Sequence, residues 1–118
     1  MDTLELKQRF KAFALRAIRL YVKLPKENAV AQVIGRQLLR SATSVGANYA
    51  EASRSRSKAE FAAKTGDSLK EIAETEYWLE LLVESGIVTA KKMADLLNET
   101  NQLTAILTSI NKKAKNND

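Results

Sequence analysis

A chain of 118 residues with 45% apolar side chains, one Pro and four Gly is one domain, with enough apolar residues for a modest core and few chain breakers. It has no Cys and no His, which removes disulfides, thiolate chemistry, the commonest general base and the commonest zinc ligand. The net charge of +5 is uneven: residues 1–64 carry 13 Lys or Arg against 5 Asp or Glu, and residues 65–118 carry 6 against 9. A basic half points to a polyanion or an acidic protein as partner.

The first helix is expected over Thr3–Leu24, with Asp2 or Thr3 as cap. Leu6, Phe10, Phe13, Ala17, Leu20 and Leu24 follow the alternating 4 and 3 spacing of a core seam. Pro25 ends it, since the residue before a proline avoids the helical region. Before this helix there is no apolar leader, and no stretch approaches the roughly 18 apolar residues of a membrane span. The cytoplasm is the expected location, with no membrane contact.

The second helix is expected from Pro25–Asn28 to Ala52, with Val30, Val33, Ile34, Gln37, Leu38, Ser41, Ala42, Val45 and Tyr49 on its buried face. Its second half is rich in small residues, so a neighbour can approach closely there. Gly46 lowers helix propensity by about 1 kcal/mol, which close packing would offset. Ser57 with Glu60 forms a capping-box pattern and starts a third helix over Lys58–Ser85. Phe61, Thr65, Leu69, Ile72, Leu79 and Val83 carry its seam, with Glu76 as a polar member. Gly86 suits a left-handed stop. Thr89 caps a fourth helix to Lys113, whose seam is Met93, Leu96, Thr100, Leu103, Leu107 and Ile110. Short connections force antiparallel neighbours. The expected fold is all-α, an up-and-down four-helix bundle over residues 1–115, with a frayed tail at 116–118.

Leu4, Leu15, Ile18 and Val22 fall on a second apolar arc of the first helix, away from its seam. They either widen the core face or form a subunit interface. The interface is favoured, because a small bundle has little core for two faces. A homo-oligomer follows.

Arg9, Arg16, Arg19 and Lys23 form a basic stripe on the first helix, and Arg54, Arg56, Lys58 and Lys64 surround the turn before the third. Repeated positive charge is what phosphate binding needs; solvated surface is the plain alternative. The nucleic-acid-binding set is Arg9, Arg16, Arg19, Lys23, Arg54, Arg56 and Lys58. With no aromatic residues interleaved, any contact should be to the backbone of RNA or DNA.

Arg40, Glu51, Glu71 and Glu74 sit among small and apolar residues. Glu71 and Glu74 share a face, but di-iron bundles use Glu-x-x-His and this chain lacks His. A buried polar network that sets helix register is the preferred reading. Glu74, Glu76, Glu80 and Glu84 face solvent or a neighbouring subunit. Tyr77 and Trp78 point to different faces, one to the core and one to an interface. No phosphate loop, nucleophile elbow or metal spacing is present, so neither an enzyme nor a cofactor is expected.

The segment Leu39–Ala52 (LRSATSVGANYAEA), with Ser57–Phe61 (SKAEF) and Ser68–Leu82 (SLKEIAETEYWLELL), resembles the bacterial four-helix-bundle proteins encoded in intervening sequences of 23S ribosomal RNA genes. Related to these are the accessory variability determinant proteins of diversity-generating retroelements. The resemblance spans roughly residues 3–112. It implies an antiparallel four-helix bundle assembled as a ring-like homopentamer. It also implies nucleic-acid association, or assistance to a reverse transcriptase and its RNA or to a ribosomal component, with no catalytic residues to carry over. A protein-interaction scaffold without a nucleic-acid role is the alternative function.

Overall fold

The computed structural model describes residues 1–116. Four helices follow one another: α1 (Thr3–Lys23), α2 (Ala29–Ala52), α3 (Lys58–Glu84) and α4 (Ala90–Lys115). Each begins where a side chain can satisfy an orphan N–H of the first turn. Asp2 accepts from Glu5 N at 2.8 Å in a capping box, Asn28 from Ala31 N at 3.0 Å, Ser57 from Glu60 N at 3.0 Å, and Thr89 from Lys92 N at 3.2 Å. Pro25 lies in the connecting loop rather than in the first turn of α2. Gly86, after α3, has φ +80°, a conformation glycine adopts without a Cβ clash. Asn116 caps α4; the rest of the expected frayed tail lies outside the described residues.

Consecutive helices pack against each other, most extensively α2 with α3; α1 meets α4 over a much shorter contact, and α1 and α3 are diagonal. The bundle measures 51 × 21 × 20 Å. Leu6, Phe10, Phe13 and Ala17 of α1 are buried as the periodicity predicts, as are Met93, Leu96, Thr100, Leu103 and Leu107 of α4.

On α2 the buried line is Ala31, Gly35, Leu38, Ala42, Val45, Tyr49 and Ala52, again spaced 4 and 3, with Ser41 buried beside it. Val30 and Val33, expected in the core, are instead 57% and 54% exposed. The core side of this end of α2 carries Ala31 and Gly35, and at Gly35 the side chains of Tyr21 and Leu24 come too close for a Cβ. A Cβ on Gly35 would lie 2.6 Å from Leu24 Cδ1 and 2.7 Å from Tyr21 Cδ1, and one on Gly46 would lie 2.9 Å from Phe10 Cβ.

On α3 the buried line is Thr65, Ser68, Ile72, Thr75, Leu79 and Leu82. Its polar members are satisfied, which removes the cost of burying them. Ser68 Oγ donates to Val45 O at 2.8 Å, and Thr75 Oγ1 lies 2.9 Å from Ser41 Oγ and 2.8 Å from Glu71 O. Short hydroxyl side chains thereby line the closest pairing in the bundle. Asn111 joins α4 to α3, its Nδ2 donating to Ala62 O at 2.8 Å and Thr65 Oγ1 at 2.9 Å.

Candidate functional site

The seven cations singled out for nucleic-acid binding do not form one surface. Arg16, Arg19 and Lys23 lie on the last turns of α1, whereas Arg54, Arg56 and Lys58 surround the α2–α3 turn at the other end of the 51 Å bundle. Arg9, between them, is committed elsewhere. Its Nε donates to Glu99 Oε2 and its Nη2 to Glu99 Oε1, both at 2.8 Å, and Nη2 also reaches Gln102 Oε1 at 2.7 Å. The bidentate pair is mostly shielded, and its hydrogen bond to Glu99 raises the Arg9 pKa above its ordinary value. A guanidinium held this way fastens α1 to α4 and is removed from the phosphate-binding set.

Beyond that clasp, α1 and α4 enclose a groove of about 580 Å³. Its floor is apolar, with Leu20, Leu24, Val88, Met93 and Leu96; its cations are Arg16, Arg19, Lys23 and Lys92. Among the described residues no carboxylate lines the groove, and none of these four cations forms an ion pair. The capping residue Thr89 also lines it, so the first turn of α4 opens beside it with the positive end of its dipole. Lys92 was not singled out in the sequence. It lies more than sixty residues from Lys23, and only the antiparallel return of α4 brings it alongside.

At the opposite end, a second depression is lined by Ser53, Ser55, Arg56, Ser57, Lys58, Phe61 and Lys113, among others. Arg54 faces a separate depression with Lys7, Lys11 and Gly46. The Arg-Ser-Arg-Ser turn is thus divided between two surfaces.

The polar cluster on α2 and α3 is not buried. Arg40 pairs with Glu71 (Nη1 to Oε1, 3.3 Å) and with Glu74 through Nη2, but its side chain is half exposed. Trp78 Nε1 donates to Glu74 Oε1 at 3.2 Å. The Arg40 hydrogen bond is the main cause holding the Glu74 carboxyl below its usual range. Glu51 belongs to a different pair, with Lys64 at 2.7 Å in open solvent. The sequence neighbourhood suggested burial because the adjacent residues are apolar, but Arg40 lies on the outward side of α2.

Leu4, Leu15, Ile18 and Val22 are exposed, from 37% at Ile18 to 64% at Leu4. They do not widen the core. Tyr77 is 54% exposed, while Trp78 packs against the core edge. Among the described residues no helix is long and apolar enough to cross a membrane.

The architecture is therefore an antiparallel four-helix bundle with an uncompensated cationic groove between its first and last helices. The chain belongs to the 23S rRNA-intervening sequence protein family, whose sequence profile matches residues 2–109. Its fold is shared by a crystallised protein of unknown function from the S23 ribosomal protein family of Bacteroides thetaiotaomicron. The two are 38% identical with a TM-score of 0.82, over 92% of this chain and 99% of that one. Among curated proteins none matches the chain.

Proposed function

We propose that this protein is a non-enzymatic, self-associating bundle that binds the nucleic-acid backbone through the α1–α4 groove. The observation that carries this reading is the convergence of Arg16, Arg19, Lys23 and Lys92 on one concavity with no carboxylate among its lining residues. Cations unpaired within the fold can neutralise phosphates and release their counterions. The aliphatic floor gives no stacking platform, so contacts run to phosphate and sugar rather than to base faces. The family's description names 23S rRNA, which makes structured RNA the first ligand to test, with duplex DNA beside it. A polymerase or ribosomal component that carries such RNA is the corresponding protein partner. Self-association is assigned to the exposed stripe Leu4, Leu15, Ile18 and Val22, since large apolar side chains left exposed along one helix side mark an interaction site.

The test is filter binding at two salt concentrations, with Arg16→Glu/Arg19→Glu as the variant. Wild type should bind with an affinity that falls steeply with salt. The variant should lose binding, or retain a log–log salt slope lower by about 2, one unit per lost phosphate contact. Its far-UV spectrum should be unchanged, because neither side chain forms an ion pair among the described residues. Unaltered affinity would sink the groove assignment, and a wild type that binds neither ligand would leave a protein-interaction scaffold.

A further inference from the structure

The depression at the α2–α3 turn, about 620 Å³ in volume, draws residues from all four helices. Its hydroxyl groups have protons to give and no acceptor to receive them. Tyr49 is only 4% exposed, and its ring is held against Phe10 at a centroid distance of 5.1 Å. Ser55 Oγ is the one fully enclosed side-chain polar atom without a partner among the described residues. The Tyr49 hydroxyl is equally unbonded there, so it is not enclosed, and it opens into the depression that Tyr49 lines. Ser57 Oγ accepts from Glu60 N at 3.0 Å as the cap of α3. A hydroxyl that accepts still carries a proton to donate. Buried tyrosine and serine hydroxyls ordinarily find partners, so two orphans at one place mark a seat for an acceptor.

The electrostatics give that acceptor its sign. Arg56 and Lys113 are exposed at the rim and form no ion pair among the described residues. Lys58 adds a third positive charge, and α3 begins here with the positive end of its dipole. Among the described residues no carboxylate lines the depression. The occupant is therefore an anion that accepts several hydrogen bonds at once.

We propose that this depression binds the phosphomonoester of a nucleotide. A phosphomonoester carries close to two negative charges at neutral pH and three strong acceptor oxygens. Donors set around it on the turn, α2, α3 and α4 match that group. A diester within a strand has a single charge and fewer free oxygens, and a continuous groove such as that between α1 and α4 suits it better. Phe61 and Ile110 form an apolar wall beside the cations. A nucleoside can lie against that wall, its base on the Phe61 ring, whereas inorganic phosphate would leave the wall unused. The same chemistry is offered by a free nucleotide and by the phosphorylated end of a strand. Only the strand-end source rests on the nucleic-acid reading above.

The experiment is equilibrium binding by the full chain of four probes: adenosine 5′-monophosphate, adenosine, an RNA oligonucleotide with a 5′-phosphate, and the same oligonucleotide with a 5′-hydroxyl. Wild type should prefer the phosphorylated member of at least one pair by about tenfold. A preference within the oligonucleotide pair, with much weaker binding of the monophosphate, assigns the site to strand ends; monophosphate binding as tight as that of the phosphorylated strand assigns it to the free nucleotide. Arg56→Gln/Lys113→Gln removes two exposed cations and should bring the preference close to one. Tyr49→Phe keeps the ring against Phe10 and loses only the hydroxyl; it should lower the preference several-fold with an unchanged far-UV spectrum. Equal binding within both pairs, or a preference that survives both variants, overturns the inference. Failure of the groove reading looks different: affinity for the 5′-hydroxyl oligonucleotide would ignore Arg16→Glu/Arg19→Glu while the phosphate preference stayed intact.

Discussion

At the scale of single residues, the charges between α2 and α3 set a pH dependence. Glu74 is held below the ordinary carboxylate range chiefly by its hydrogen bond from Arg40, aided by the Trp78 N–H and opposed by desolvation. A carboxyl with a lowered folded pKa contributes stability that is present above its unfolded value and lost as pH falls through its folded one. The melting temperature of wild type should exceed that of Glu74→Gln by a constant margin near neutrality, and the margin should shrink below about pH 4. Parallel curves down to strongly acid pH would show that the pair contributes nothing. Gly46 makes a second residue-scale case. Alanine there gains about 1 kcal/mol of helix propensity, but its Cβ would lie 2.9 Å from Phe10 Cβ, an atom anchored to the α1 backbone. Overpacking of this kind costs about 1–3 kcal/mol, so Gly46→Ala should lower the urea midpoint rather than raise it.

Between elements, the bundle is unevenly fastened. α2 lies tightly against α3 through small and hydroxyl residues, whereas α1 and α4 share a short contact in which Arg9 and Glu99 form a two-pronged clasp. Removing Glu99 leaves a partly shielded guanidinium with Gln102 as its remaining partner. Glu99→Ala should cost about 1–3 kcal/mol in urea unfolding, the range for a charge-assisted hydrogen bond. A double-mutant cycle with Arg9→Ala should return a coupling above ~0.5 kcal/mol; zero coupling would make the pair incidental. Beyond the clasp, Arg16, Arg19, Lys23 and Lys92 line the groove with no ion pair to any of them among the described residues.

For the whole molecule, charge and apolar surface are distributed by helix. Basic residues gather on α1, at the α2–α3 turn and at both ends of α4, acidic ones on the second half of α3, and the exposed aliphatic side chains, Leu4 apart, lie toward the end of the bundle that holds Val22, Val30 and Val33. The exposed stripe and the groove share the last turns of α1, where Ile18 and Val22 alternate with Arg16, Arg19 and Lys23, but ionic strength separates the two proposed activities. Contacts to phosphate depend on ionic strength, whereas burial of apolar patches does not weaken with salt. Wild-type mass and wild-type binding, measured in the same buffers, should respond differently to salt.

The sequence by itself determined the four helices, most of their limits, the antiparallel order, the α1 and α4 seams except for Leu20 and Ile110, which are only partly buried, and the outward stripe of α1. These are local matters: a 4 and 3 spacing, a capping side chain and a short connection act within a few residues of the chain. Even so, the α3 line was only partly legible, since Ser68 and Thr75 look like surface residues until Val45 and Ser41 are placed opposite them. The outward turn of Val30 and Val33 was hidden for a similar reason: apolar residues border both sides of α2 at that end, and only the approach of Tyr21 and Leu24 selects Ala31 and Gly35 for the core. Tertiary structure decided the fate of the charges. Arg9 is spent on Glu99, Lys92 joins Arg16, Arg19 and Lys23, and the remaining cations stand at the far end. Which charges meet depends on the register of helices distant in sequence, and helical periodicity holds no information about that register.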